Sequence, residues 1–491
     1  MKKSFAFRLL PLLAVIASVQ ISAFANTITI TQVGSGKSLD VVIKGVEGGK
    51  VTFEMGPGKS FTVPLTKLTP ESVQKIKEHL ASGSKPSAES LAAASKVNEV
   101  IGHGLFGDAA SLWGEDAQEV AGRLNWKLES RKKDSSSYRL YTKLDYLFLG
   151  AHPYCVTLYG GEGNRPERIS LVYANKGDFG SRLGMGPDHF KEIYPDKEPP
   201  GNLTEAIEFD AKIIAEYLTK GLGEPEEQYY GEKEDKRKVK RWNQEDHAFL
   251  LSSIEGEYTN LLVVPKEDAD LQGKVEFVVD SDLRKIQVTN VVTELNGDVW
   301  IDNIPMVNQG PKGYCAPATF ERAMRYMKVP ADMYLLATAA TAAGGGTNTT
   351  KLSEDCKRIV RSKARRIKEL ELQEDFEIKN LKKFIDKGVP VLWQMRSLNE
   401  YNKLVNERSE ARESVDDLTK WAAEISEEAT RLSPSFKSNQ SNFHICMVIG
   451  YNEKTREVAV SDSWGPKYEI RWVHEDLAKA VTSRGGFVID F

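Results

Sequence analysis

Apolar and polar positions alternate along residues 27–66 in four short runs, TITITQV, SLDVVIKGV, KVTFEM and SFTVPL, separated by glycine-bearing turns. Leu39, Val41 and Ile43 share one parity, as do Val51 and Phe53. A period of two is the signature of half-buried strands, and the spacing predicts a small antiparallel barrel. LTPESVQKIKEHL then predicts a closing helix, with Thr69 as N-cap and Pro70 at the first helical position. Within this region GSGKS, Gly34 to Ser38, has the look of a phosphate-binding loop. Such a loop needs a glycine five residues before its Gly-Lys-Ser, where Thr31 stands, and it leads into a helix. SLDVVIKGV reads as strand, so the segment predicts a hairpin turn.

The small, polar stretch 81–96, ASGSKPSAESLAAASK, reads as a linker. From 97 to 297 the pattern mixes two periods. EDAQEVAGRLNWKL and EAIEFDAKIIAEYLTKGL predict helices; YRLYTKL, YLFLG, CVTLYGG, RISLVYAN, AFLLSSI, NLLVVP and KVEFVVD predict strands. The expectation is an α+β domain, with GEKEDKRKVKRW as a solvated charged loop. A further domain spans 298–491. It holds a helix after Cys315, small residues ending in Gly344-Gly345-Gly346, a basic helix around CKRIVRSKARRIKEL, and the strands VPVLWQM, FHICMVIGY and EVAVSD. A polar helical insertion lies near 401–432, with Leu404, Val415, Leu418, Trp421 and Ile425 compatible with one packed face and with a lid.

The first residues change the picture of where the protein works. Lys2, Lys3 and Arg8 precede a short apolar run, Leu9 to Ile21, and Ala23-Phe24-Ala25 is a small-x-small site. This predicts a signal peptide over 1–25, cleaved near Ala25, and a secreted or periplasmic protein. The run is shorter than the about 20 apolar residues of a helical span, and no later segment approaches that length. A net charge of -4 without a basic arm argues against nucleic acid as partner. Four cysteines, Cys155, Cys315, Cys356 and Cys446, are too few for a disulfide framework in 491 residues, and none has zinc-ligand spacing. No metal or organic cofactor is expected.

The candidate chemistry centres on NQGPKGYCAPATF, Asn308 to Phe320. A thiol is a good nucleophile as thiolate, and a helix N-terminus favours that anion. Pro317 suits a first turn, and Phe320, Ala323, Met324 and Met327 repeat at one helical face. Cys315 is therefore expected at the mouth of a buried helix. Gln309, six residues earlier, is an uncharged donor suited to an oxyanion. His444 opens the apolar run HICMVIGY and is a candidate base. Asp462 ends the strand EVAVSD and is a candidate to orient it. Cys446, on the same strand face as His444, and Cys356, at the start of a basic helix, are expected to be structural. His474, before EDLAKAV, is expected to cap or lie at the surface.

Taken in order, NQGPKGYCAPATF and then NFHICMVIGYNEKTREVAVSDSWG resemble the papain-like cysteine peptidases, more closely the bacterial double-glycine, bacteriocin-leader-processing type. The resemblance implies a papain-like fold over 298–491, with Gln309 as oxyanion donor, Cys315 as nucleophile, His444 as general base and acid, and Asp462 as the orienting residue. It implies that Trp464, in Ser463-Trp464-Gly465, shields the His–Asp contact from water. Tyr314 and Ala316 depart from the family's pattern beside the nucleophile. Within residues 26–80, the strand layout that ends in VPLTKLTPE resembles the SH3-like homology domain first seen in endocytic adaptors, which implies a binding or spacing module. The whole is expected to be α+β and multidomain.

Three functions fit these residues. The first is a secreted cysteine peptidase acting on a peptide or protein through an acyl-enzyme. The second is an amide transferase or deamidase on the same triad. The third is a non-catalytic scaffold with a degenerate peptidase fold. Substrate, acyl acceptor, oligomeric state and the role of 97–297 stay open at this point.

Overall fold

The structure, a computed structural model, describes residues 28–47, 49–54, 60–82, 87–179, 187–274, 278–337, 340–341, 346–439 and 442–491. The signal segment expected over 1–25 lies outside them, as do Gly344 and Gly345. The chain divides into two units, residues 1–85 and 86–491.

In the first unit the strands Ile28–Thr31, Ser38–Glu47, Lys50–Glu54 and Ser60–Pro64 form an antiparallel meander in chain order. Val41, Ile43, Val51 and Phe53 bury together with Ile30, Leu68 and Ile76, as the period of two requires. The segment Gly34–Ser38 turns between the first two strands, with Gly34 and Gly36 at φ 83° and 61°. Helix Pro70–Ser82 starts beside Thr69, whose hydroxyl accepts the Ser72 N–H at 3.3 Å.

The second unit begins with a correction. Residues 88–96, expected as linker, belong to helix Ala88–Ile101, capped by Ser87, which accepts the Ser90 N–H at 3.0 Å. Alanine is the strongest helix former, and Ala94, Val97 and Ile101 supply a buried stripe at helical spacing.

Two eight-stranded sheets follow, and every described pairing in them is antiparallel. The middle sheet joins two four-stranded meanders through Pro166–Asn175 and Tyr258–Pro265, with helix Leu203–Leu222 packed on it. Several expected elements differ here. YLFLG is a turn, because Leu149 and Gly150 both take positive φ. The second half of GEKEDKRKVKRW is the strand Arg237–Gln244, with Val239 and Trp242 buried while Lys238 and Lys240 point to solvent. The helix expected through EDAQEVAGRLNWKL stops at Arg123, ahead of Asn125 at φ 56°, and Lys127–Arg131 is strand. KVEFVVD leads into helix Asp280–Thr289, with residues 275–277 outside the described ones.

The C-terminal sheet runs Val291–Thr293, Asp298–Ile301, Phe443–Asn452, Val391–Arg396, Thr482–Asp490 and Arg366–Leu370, with Glu457–Ser461 and Arg471–His474 branching from Phe443–Asn452. The expected basic helix is the end of helix Thr349–Ser362 and the strand Arg366–Leu370, separated by Ala364 at φ 58°. Cys356 therefore lies mid-helix, not at a helix start, because the N-cap of Thr349–Ser362 is Asn348, eight positions before it.

The insertion is a pair of helices, Asn399–Arg412 and Leu418–Ser438. Trp421 and Ile425 are buried, along with Tyr401, Val405, Ala429 and Phe436, while Leu404, Val415 and Leu418 are half-buried. Arg412 forks onto Asp298 at 2.6 and 2.9 Å and meets Glu457 at 2.8 Å, so the pair is pinned to the sheet. The architecture is mixed α and β with several sheets, consistent with an α+β multidomain chain. Among the described residues no helix is long and apolar enough to cross a membrane.

Candidate active site

Cys315 opens helix Cys315–Tyr326. The loop reaches it through Gly310 at φ 69°, where a Cβ would stand 2.7–3.0 Å from the Tyr141 ring. The first N–H groups of a helix have no intrahelical acceptor, so the turn at Cys315 presents free donors. Phe320, Ala323, Met324 and Met327 are buried, as their spacing predicts. The polar residues between them are buried too. Glu321 accepts from the Met333 N–H at 2.8 Å and the Tyr159 hydroxyl at 3.2 Å, and lies 3.5 and 3.3 Å from Arg139 and Arg325. Arg322 points the other way, donating to the Pro305 carbonyl at 3.0 Å and the Ser461 hydroxyl at 2.5 Å. The helix is clamped between both sheets.

His444 stands second on strand Phe443–Asn452, opposite Met395. Its side chain hydrogen-bonds Cys315. Its Nε2 lies 2.5 Å from Asp462 Oδ1. Asp462 follows strand Glu457–Ser461, and its N–H donates to the Tyr468 carbonyl at 2.9 Å. Trp464 stacks on the His444 ring, with centroids 5.0 Å apart. The other carboxylate oxygen, Asp462 Oδ2, accepts from Arg471 Nη2.

These contacts set the charges. Burial would raise the Cys315 thiol. The hydrogen bond and charge of His444, with the N–H groups of Ile445 and Ala316, outweigh it and hold the thiol below its ordinary value. Burial would lower His444, yet the Asp462 carboxylate and Cys315 raise it to about 10. Burial would raise Asp462; Arg471, His444 and Arg322 keep it below the usual carboxylate range. The arrangement favours a thiolate–imidazolium pair.

Gln309 belongs to the same constellation. Its N–H donates to the Ser463 carbonyl at 2.8 Å, tying its loop to the residue after Asp462. Its amide Nε2 reaches the Lys312 carbonyl at 3.4 Å, leaving a second N–H for another acceptor. The structure thus brings Gln309, Cys315, His444 and Asp462 together.

The middle region also reaches this loop, a feature invisible to motif reading. The Asn308 N–H donates to Glu129 at 2.7 Å, and the Tyr141 hydroxyl donates to the Asn308 carbonyl at 2.5 Å. Lys312, buried beside Tyr141, Tyr314 and Tyr334, pairs with Asp178 and donates to the Tyr334 hydroxyl at 2.6 Å. Tyr314 packs on Gly177 so closely that a Cβ there would overlap its hydroxyl. A lysine inside an otherwise apolar and glycine-rich loop was the available signal. Arg471, opening the apolar strand RWVH, was another.

All four cysteines are free thiols. Cys155, Cys356 and Cys446 are buried, and burial pushes each above its ordinary value. His474 caps helix Glu475–Val481, accepting the Asp476 N–H at 3.2 Å, and is buried, not at the surface. Among the described residues no cluster of three or more His, Cys, Asp or Glu is placed to hold a metal ion.

Comparison with curated proteins returns no match. The matching family model does not reach the N-terminal unit, so the SH3-like resemblance gains no support from it. Residues 301–481 match the Peptidase_C39 like family, which supports a C39-type cysteine peptidase domain at the C-terminus of this chain.

Proposed function

We propose that the protein is a cysteine peptidase that hydrolyses peptide bonds through an acyl-enzyme on Cys315. The observation that carries this reading is the continuous hydrogen-bonded chain from Cys315 to His444 to Asp462, the last step 2.5 Å long. The Cys315 thiolate attacks the scissile carbonyl carbon. The developing oxyanion takes the free N–H of the Gln309 amide and the Cys315 N–H at the helix start. His444, protonated, gives its proton to the leaving amine. It then takes one from water, which attacks the thioester and releases the acid. Asp462 keeps the imidazole oriented and stabilises its charge. Trp464 covers one face of the imidazole and lowers its access to water.

A papain-like arrangement of the domain belongs to this proposal. It is supported by the order of the elements, a nucleophile on a helix followed by a base and an acid on neighbouring antiparallel strands. A secreted or periplasmic location is also part of it and rests on residues 1–25. The test is cleavage-site profiling on a peptide library with wild type and Cys315→Ala. Cleavage by wild type that is lost in Cys315→Ala is the expected result. Undiminished cleavage by Cys315→Ala would sink the reading. Conversion of glutamine to glutamate, or peptide cross-linking, without cleavage would replace hydrolysis with amide chemistry.

A further inference from the structure

The insertion reaches the triad from behind, through one arginine. Arg471 opens strand Arg471–His474, beside strand Glu457–Ser461 that delivers Asp462. Its guanidinium is 4% exposed and the carboxylate it meets is 1% exposed. Nη2 donates to Asp462 Oδ2, while Oδ1 faces His444. Nη1 turns the opposite way, to Asn406 Oδ1 at 3.1 Å and Asn402 Oδ1 at 3.5 Å, both on helix Asn399–Arg412. Trp464 and Tyr468 cover the guanidinium at 5.1 and 5.6 Å.

We propose that Arg471, anchored by Asn402 and Asn406 of the inserted helix, is a positioning residue that fixes Asp462 against His444 and completes a chain of four alternating charges behind the nucleophile. This rests on the peptidase reading above. The physical argument is charge balance. A buried thiolate, imidazolium and carboxylate sum to one negative charge, and a buried net charge is costly. Arg471 sets a positive charge directly against the carboxylate and offsets this, which favours the ionised Cys315. By taking only Oδ2 it leaves Oδ1 for His444, and the two contacts on opposite oxygens restrict the carboxylate to one orientation. Other groups facing Asp462 do not replace it. Arg322 on the nucleophile helix adds positive charge near Asp462, but its hydrogen bonds go to Pro305 and Ser461, so it does not orient the carboxylate. Cys446 on the His444 strand and Tyr401 on the inserted helix are neutral, both held protonated by burial. The insertion is thus a brace for the orienting acid, not a lid.

The experiment measures iodoacetamide alkylation of Cys315 against pH, read by mass spectrometry of the Cys315 peptide, in wild type, Arg471→Gln and Arg471→Lys. Removing the positive charge makes the thiolate less favourable, so the midpoint of Arg471→Gln moves to higher pH, while Arg471→Lys stays near wild type. On a cleaved peptide, kcat/KM of Arg471→Gln falls about 10- to 100-fold, the size of one charge-assisted hydrogen bond at about tenfold per 1.4 kcal/mol. A merely structural residue would lower the amount of folded protein without moving the midpoint. An unmoved midpoint in folded Arg471→Gln overturns the proposal. Should that variant not fold, Asn402→Ala/Asn406→Ala, which leaves the arginine in place, gives a smaller shift in the same direction, and no shift overturns it. A wild type whose Cys315 titrates as an ordinary thiol refutes the peptidase reading instead, so the two failures are distinguishable.

Discussion

Asp178→Asn tests whether the middle region is energetically part of the candidate site. Asp178 and Lys312 have side chains 9% and 7% exposed, and they pair across the two regions of the second unit. Removing one partner of a buried ion pair costs about 3–5 kcal/mol, because the other charge is left uncompensated. The Tyr334 hydroxyl and three tyrosine rings remain on the lysine, but they are present before and after the change and cushion nothing. An asparagine still accepts one hydrogen bond, so about 3 kcal/mol is expected for Asp178→Asn and more for Asp178→Ala. The assay is urea unfolding of the full chain, with iodoacetamide labelling of Cys315 as a second readout. Labelling should slow in step, since Lys312 sits three residues before Cys315. Asp178→Asn/Lys312→Met should recover most of the loss, because no charge is then left unpaired. A single variant within about 0.5 kcal/mol of wild type, or a double variant as unstable as the sum of the singles, would refute this reasoning.

Cys315 should react with iodoacetamide well below the pH at which an ordinary thiol does, near 8.5, and peptide cleavage should fall again as His444 loses its proton at about 10. A single rise near 8.5 would contradict this. Stability should follow the same pair, and urea midpoints measured across pH check the sign. Unfolded, the histidine titrates near 6.5 and the thiol near 8.5, so the raised His444 contributes stability that is lost as pH rises from about 6.5 to about 10, while the lowered Cys315 contributes stability that grows toward 8.5 and offsets that loss. Above about 8.5 only the His444 loss remains; on the acid side the Cys315 contribution is lost as pH falls. In Cys315→Ala the decline on the alkaline side should start near 6.5, and an unchanged profile would count against the ion pair. Gly310→Ala should cost at least about 1–2 kcal/mol for the left-handed backbone alone, plus the displacement of Tyr141, and should slow Cys315 labelling. Equal labelling and an equal urea midpoint would show that the loop tolerates the Cβ.

What was legible in the sequence is what short-range chemistry writes there. The meander follows from period-two runs with glycine turns. The helix start at Cys315 follows from Pro317 and the apolar positions behind it, and the order Gln309, Cys315, His444, Asp462 follows from a motif. Periodicity says that a residue is buried but not against what. YLFLG is apolar enough for a strand, yet two positive-φ residues turn it, and nothing in its hydropathy marks that. KRKVKRW reads as a solvated loop until its own alternation is given a neighbouring strand to pair with. The supports of the site were hidden for the same reason: Asp178 and Lys312 are 134 positions apart, and Arg471 is 65 from Asn406.

One signal was nonetheless present. Glu321 and Arg322 sit side by side in helix Cys315–Tyr326, among apolar residues, where a solvated face would be the ordinary reading. Adjacent residues on a helix point about 100° apart, so a helix with one wet face would not bury both. Both are fully buried, each with its own set of partners, Glu321 toward the middle sheet and Arg322 toward strand Glu457–Ser461. Two opposite charges on neighbouring positions of an apolar helix therefore mark a central helix held from two sides. The Cys315 thiol, carried by this helix, has its position set by both sheets, which is why the middle region and the C-terminal region are expected to respond together when either side is cut.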